Sequence, residues 1–208
     1  MQWTCGRSRK LKKNINLECD KNILELTDIT SLLSKTNRNV LDIGFGSGDS
    51  VLADLEHGSH VLGCEIFKPA VYETLDKILK FGYDLSKSHF YIGFVDELLK
   101  FLKTPVFAEV KMLFPDPWHK NKHSKRRFYN IPYFDLLIFR VLCNKGRFVF
   151  ASDIEYMYVN ARKLFLSQLF TIEDAIFDAY EACPYRTAYC KKGFEAGRKV
   201  YSMVATKI

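Results

Sequence analysis

Asp116 stands between Pro115 and Pro117, and is followed by Trp118 and then by Lys120, Lys122, Lys125, Arg126 and Arg127. The two prolines restrict the backbone around the carboxylate, so it can be held in place with little further loss of chain entropy. An indole can stack on a base or wall a pocket, and clustered lysines and arginines can bind phosphates. A carboxylate, an aromatic plane and a cationic run on one loop outline chemistry on a nucleic-acid base. The plainer alternative makes Phe114 and Trp118 core residues and the basic run a solvated loop. The Asp-Pro-Trp element directly beside the run favours the first reading.

A second constellation lies upstream. Asn39–Ile43 reads as a short apolar strand that carries Asp42 into Gly44-Phe45-Gly46-Ser47-Gly48, after which a helix can start near Asp49. Glycines there let the backbone approach a ligand closely, because they lack a Cβ and tolerate positive φ. A dinucleotide fold prefers Gly-x-Gly-x-x-Gly with a helix N-terminus facing pyrophosphate, and Asp49 is a poor neighbour for phosphate. S-adenosylmethionine has no phosphate and carries a sulfonium and an ammonium, so carboxylates around such a turn attract it. Glu65, 21 residues after Gly44, ends the next strand, where an acid can take both ribose hydroxyls. Asp96 follows the third strand, where it can accept from the adenine amino group. Otherwise this is an ordinary loop with solvated acids.

The elements that must position these residues alternate. Strands are expected over His60–Ile66, Phe90–Val95, Val106–Phe114 and Gly146–Ala151, with helices over Ile23–Leu33 (Asp20 as N-cap), from Pro69 to Lys80, near 97–103, near 132–143 and over 154–168. Such βαβ repetition predicts an α/β fold with a mostly parallel sheet, helices on both faces, and a ligand site at the carboxyl ends of the strands. Asp42, Glu65, Asp96, Asp116 and Asp153 fall at or near those ends. Phe170–Phe177 and Lys199–Thr206 can pair as a closing antiparallel edge, giving seven strands.

At 208 residues and 48% hydrophobic composition the chain is long enough for one domain with a full core, expected over 21–208 behind a basic, mobile arm at 1–20. Residues 1–14, 118–127 and 186–199 carry net charges of +5, +5 and +4, fourteen in all; the chain as a whole carries +7, so the remainder is at −7. A basic rim on an acidic body suits a ligand the size of tRNA. Six cysteines without a Cys-x-x-Cys pair read as reduced cytosolic thiols, and neither they nor the five histidines show metal spacing, so no metal is expected. The apolar run near Phe134–Cys143 is broken by Asp135 and Arg140, so no membrane span is expected either.

Together, Leu41-Asp42-Ile43-Gly44-Phe45-Gly46-Ser47-Gly48, Gly63-Cys64-Glu65, Phe114 through Arg127, Ser152-Asp153, and Arg186-Thr187 leading into Gly193 resemble the bacterial tRNA (guanine-N7)-methyltransferase family of the TrmB type over most of the chain. The resemblance implies a class I S-adenosylmethionine-dependent methyltransferase, Rossmann-like and cytoplasmic, monomer or homodimer, that modifies guanine 46 of the tRNA variable loop. It assigns Asp42, Gly44, Gly46, Gly48, Glu65, Asp96 and Asp116 to the cofactor, with Asp116 also the active-site carboxylate. Lys120, Asp153, Thr187 and Cys190 fall to substrate, and Lys122, Lys125, Arg126 and Arg127 to RNA. One position departs from the pattern: the family's Thr-Lys-Phe-Glu is Thr187-Ala188-Tyr189-Cys190 here, a cysteine in place of the glutamate. Two other readings remain. An amino-methyltransferase acting on adenine or cytosine uses Asp or Asn followed by Pro-Pro-aromatic, whereas a single proline separates Asp116 from Trp118. A catalytically silent RNA-binding protein of the same fold would bind tRNA and transfer nothing. A nicotinamide oxidoreductase is disfavoured by Asp49 and the basic rim.

Overall fold

The computed structural model describes residues 17–33, 39–165 and 168–208, so most of the expected basic arm lies outside the described residues. Seven strands build one sheet: β1 (Asn39–Ile43), β2 (His60–Glu65), β3 (Ser88–Ile92), β4 (Phe107–Leu113), β5 (Leu142–Ser152), β6 (Phe170–Phe177) and β7 (Val200–Lys207), in the order β3-β2-β1-β4-β5-β7-β6. β1 pairs in parallel with β2 and β4, β2 with β3 and β4 with β5. β7 alone runs antiparallel, inserted between β5 and β6, so the outermost strand is β6 and the antiparallel one lies a place further in. β1 is buried at all five positions, as a strand covered on both faces must be. β6 exposes most of its residues, Glu173 and Asp174 among them, which blunts an open edge.

Among the described residues, seven α-helices flank the sheet: α1 (Leu26–Leu33), α2 (Asp49–Glu56), α3 (Lys68–Lys80), α4 (Val95–Phe101), α5 (Phe134–Val141), α6 (Glu155–Leu164) and α7 (Ala188–Glu195). Neighbouring strand residues feed opposite layers. Val61 joins Val51, Leu55, Val71, Leu75 and Ile78 from α2 and α3, while Leu62 joins Ile29, Leu98, Ile138, Met157 and Phe165 from the helices on the other face. In α3, Val71, Leu75 and Ile78 recur at helical spacing and are fully buried, each contributing about 1.5–3 kcal/mol. Phe148 and Phe165 stack with centroids 4.6 Å apart at the centre of the larger layer.

Several boundaries differ from expectation. The first helix begins at Leu26 instead of Ile23. The Asn22 amide donates to Leu85 O and Ser88 O, each at 2.7 Å, and Leu24 N–H donates to Phe90 O at 2.8 Å. The chain is thereby held along β3, and the Asp20 carboxylate accepts from the Tyr72 hydroxyl and caps nothing. β3 stops at Ile92, with Gly93 N–H making the last ladder bond to Glu65 O at 3.2 Å, and Asp96 falls in the first turn of α4, off the strand end. β5 starts at Leu142, before the expected Gly146, through a register shift that Lys145 (φ 60°) and Gly146 accommodate. A Cβ on Gly146 would lie 2.8 Å from Cys143 O.

Candidate active site

The carboxyl ends of β1, β2, β3 and β4 open onto one cleft. Its walls are Ile43, Gly44 and Gly46 from the first loop, Glu65 and Ile66 from the second, Gly93, Phe94 and Val95 from the third, and Phe114, Pro115, Asp116 and Trp118 from the fourth, with Arg126 and Tyr189 completing the rim. Gly44, Gly46 and Gly48 all have positive φ (69°, 55° and 78°). A Cβ on Gly44 would meet nothing within 4 Å, so open space borders the backbone there, whereas one on Gly48 would strike Thr74 Oγ1. The first glycine leaves room for a ligand and the third leaves room for α3.

Glu65 is fixed at the tip of β2. Its Oε2 accepts from Gly46 N–H at 3.2 Å and its Oε1 from Phe67 N–H at 2.9 Å. Burial raises its pKa, the backbone donors oppose the rise, and the charge of Asp116 adds to it. Asp116 follows Phe114, whose N–H is anchored on Ala151 O at 2.7 Å. Phe114 (φ 51°) and Trp118 (φ 46°) both hold left-handed backbone, a conformation that costs non-glycine residues about 1–3 kcal/mol and gathers at functional sites. Asp116 is exposed at the cleft, and partial desolvation of its carboxyl raises its pKa as well. The cleft therefore presents two carboxylates together with the Arg126 guanidinium, which lies 4.6 Å above the Trp118 ring. That charge set suits a compact cation and a flat, polar ring.

Other residues singled out from the sequence lie elsewhere. Asp42 is wholly buried and contributes nothing to the cleft wall; the Ser50 hydroxyl of α2 donates to its Oδ2, and its Oδ1 has no hydrogen-bond partner among the described residues. Burial, partly offset by that hydroxyl, pushes its pKa up to about 7. Asp96 pairs with Lys100 at 2.9 Å and borders a second cavity with Ser124, Lys125, Asn130 and Pro132. In the cleft its place is taken by Gly93, Phe94 and Val95.

On the substrate side, Thr187 caps α7, its Oγ1 accepting from Cys190 N–H at 3.1 Å. Asp153, just past β5, accepts from Arg198 Nε at 2.9 Å and packs on Gly193, where a Cβ would lie 3.0 Å from the Asp153 Cβ. The Cys190 thiol is buried 3.5 Å from that of Cys183, in an apolar cluster with Phe114, Ala151 and Val200. Lys120, Lys122 and Lys125 are exposed. Arg127 is engaged internally: its Nε and Nη2 donate to Trp118 O at 3.2 and 3.0 Å, and Nη2 also reaches His119 O at 3.3 Å. Of the basic run, then, Arg126 and Arg127 shape the loop and the lysines face outward. Sequence reasoning missed Tyr189 and Phe94 as wall residues. Tyr189 falls within the segment that the resemblance marked, but no spacing rule separates a wall tyrosine from a buried one. Among the described residues no cluster of three His, Cys, Asp or Glu side chains could hold a metal ion, and no helix is long and apolar enough to cross a membrane.

The Methyltransf_4 family, described as "Putative methyltransferase", matches residues 36–203. The chain is 33% identical to the tRNA (guanine-N(7)-)-methyltransferase of Bartonella quintana (strain Toulouse) over 67% of its own length and 60% of the relative's. It is 35% identical to that of Chelativorans sp. (strain BNC1) over 64% of its own length and 56% of the relative's. The match thus spans less than two thirds of these relatives. Among solved structures, an antibiotic-related methyltransferase superposes with a TM-score of 0.61 at 18% identity, over 89% of this chain and 95% of that one. The precorrin-6y C5,15-methyltransferase of Geobacter metallireducens GS-15 superposes with a TM-score of 0.59 at 16% identity, over 96% and 92%. At such identities these structures speak to the fold alone, which is that of class I S-adenosylmethionine-dependent methyltransferases.

Proposed function

Because the chain belongs to the Methyltransf_4 (TrmB) family of methyltransferases, we propose that it transfers a methyl group from S-adenosylmethionine to N7 of guanine 46 in the tRNA variable loop. The observation that carries this reading is the meeting of Glu65 and Asp116 in one cleft, beside the bare backbone of Gly44 and the plane of Trp118. The residues present fit the cofactor: Glu65, pinned by two backbone donors, is placed to accept from ribose hydroxyls, and Gly44 leaves room along the turn. Gly93, Phe94 and Val95 would flank the adenine. Asp42 acts from beneath, tying β1 to α2 through Ser50.

S-adenosylmethionine, when bound, supplies an electrophilic methyl on a positively charged sulfur. Transfer of that methyl to the lone pair of guanine N7 would release S-adenosylhomocysteine and leave the positive charge on the purine, where Asp116 would face it. No proton has to leave N7, so no general base is required. What the chain must supply is position and a compensating charge. Asp116, held between two prolines and partly withdrawn from water, provides that charge, and Trp118 with Arg126 over its face shapes the slot beside it. Asp116, or Asp153 where it is not held by Arg198, accepts from guanine N1–H and the N2 amino group, donors that adenine does not present in this arrangement. Thr187 and Lys120 border the substrate, and Lys122 and Lys125 meet phosphates. The test is transfer of labelled methyl from S-adenosylmethionine to unmodified tRNA, followed by nucleoside analysis. N7-methylguanosine from the variable loop is expected. Binding of tRNA without transfer would favour the silent RNA-binding reading, and methyl on an exocyclic amine would favour the amino-methyltransferase.

A further inference from the structure

Asp49 opens α2 directly after the glycine turn, and its carboxylate reaches away from its own helix. Oδ2 accepts from the backbone N–H of Ala188 at 2.8 Å, across 139 positions of sequence, and from the Ser47 hydroxyl at 3.0 Å. Lys77 of α3 lies 3.6 Å from Oδ1 and donates to Ser47 O at 2.6 Å. Ala188 is the first residue of α7, so its N–H has no acceptor within the helix, and Asp49 supplies one. On either side, Thr187 caps the helix, and Tyr189 lines the cleft, its ring lying over the turn with Cε2 3.6 Å from where a Cβ on Gly46 would be. An acid that served only the N-terminus of α2 would have no reason to bridge to a second helix.

We propose that Asp49 is a positioning residue that latches the Thr187–Cys190 segment onto the cofactor turn, so that the wall facing the substrate is set by the loop that holds the cofactor. The proposal rests on the functional reading above for the identity of the two ligands, but the latch itself exists in the free protein. Hydrogen exchange of the free full-length chain therefore tests it directly. In Asp49→Ala, the amides of residues 188–190 are expected to exchange about tenfold faster than in the wild type, the loss associated with one charge-assisted hydrogen bond. Asp49→Asn keeps an acceptor oxygen and is expected to stay within about threefold of the wild type. With melting temperatures compared in parallel, kcat/KM for tRNA is expected to fall about tenfold in the alanine variant and to be rescued in the asparagine variant. Unchanged exchange in Asp49→Ala overturns the latch. So does an asparagine variant as fast as the alanine one, since that result assigns the effect to the charge pair with Lys77. A wild-type protein that transfers no methyl contradicts the functional reading alone, because the exchange comparison needs no substrate.

Discussion

Asp116 and Glu65 carry charge in places where burial opposes it, and that opposition has measurable consequences. Replacing Asp116 by Asn preserves shape and removes the negative charge that would face the methylated purine. The expected result is a fall in kcat of about 100-fold with S-adenosylhomocysteine affinity changed by less than about tenfold, read by single-turnover kinetics and calorimetry. Because the Asp116 pKa is raised above its ordinary 3.8, acidification removes its charge earlier than for an exposed aspartate. The acidic limb of kcat/KM should lie above pH 3.8 and disappear in Asp116→Asn. Asp42 gives the second prediction. Its folded pKa of about 7 exceeds the ordinary 3.8, so the native state keeps a proton that the unfolded chain releases between those values. Stability therefore falls as pH rises through that window, by as much as about 4 kcal/mol. Asp42→Asn should raise the melting temperature more at pH 8 than at pH 5, and an equal gain at both would contradict the assignment. At this scale the placing of Glu65 and Asp116 at one cleft was legible in the sequence, because Glu65 ends a strand and Asp116 lies in the loop that follows another. The internal engagement of Arg127 and the burial of Cys190 were not, since each depends on a partner that only folding brings near.

The glycine turn separates two uses of one backbone conformation. Gly48→Ala forces a side chain into positive φ and into Thr74, so it should destabilise the whole fold by about 2 kcal/mol or more. Gly44→Ala meets open space, so it should lose only about 1 kcal/mol while weakening S-adenosylhomocysteine binding, as denaturation and calorimetry can show side by side. Comparable unfolding for both variants would contradict this division. The turn, β1 and α3 were readable because glycine spacing, a short and mostly apolar strand and a helical repeat are local signals. The late start of α1 and the register shift at Lys145 and Gly146 were not. Each is decided by a hydrogen bond or a contact with a neighbouring strand, and local propensity carries no trace of it.

For the molecule as a whole, the net charge of +7 is unevenly spread, and the loop bearing Lys120, Lys122 and Lys125 adjoins the cleft that holds Asp116. Binding of tRNA should weaken with salt, and Lys122→Ala or Lys125→Ala should each reduce the slope of log K against log salt by about one. Salt-independent affinity would remove this surface as the RNA-binding face. The α/β class and the parallel run of strands followed from the sequence's alternation; the insertion of β7 between β5 and β6 did not, because strand order is a property of the assembled sheet. The central claim is that methyl reaches N7 of one guanine through charge compensation by Asp116. It is tested most directly with two tRNA transcripts, one unmodified and one carrying 7-deazaguanosine at position 46, where carbon replaces N7. The account predicts N7-methylguanosine in the first and no transfer to the second, with equal binding of both. Methyl transfer to the deaza transcript at an undiminished rate would contradict it.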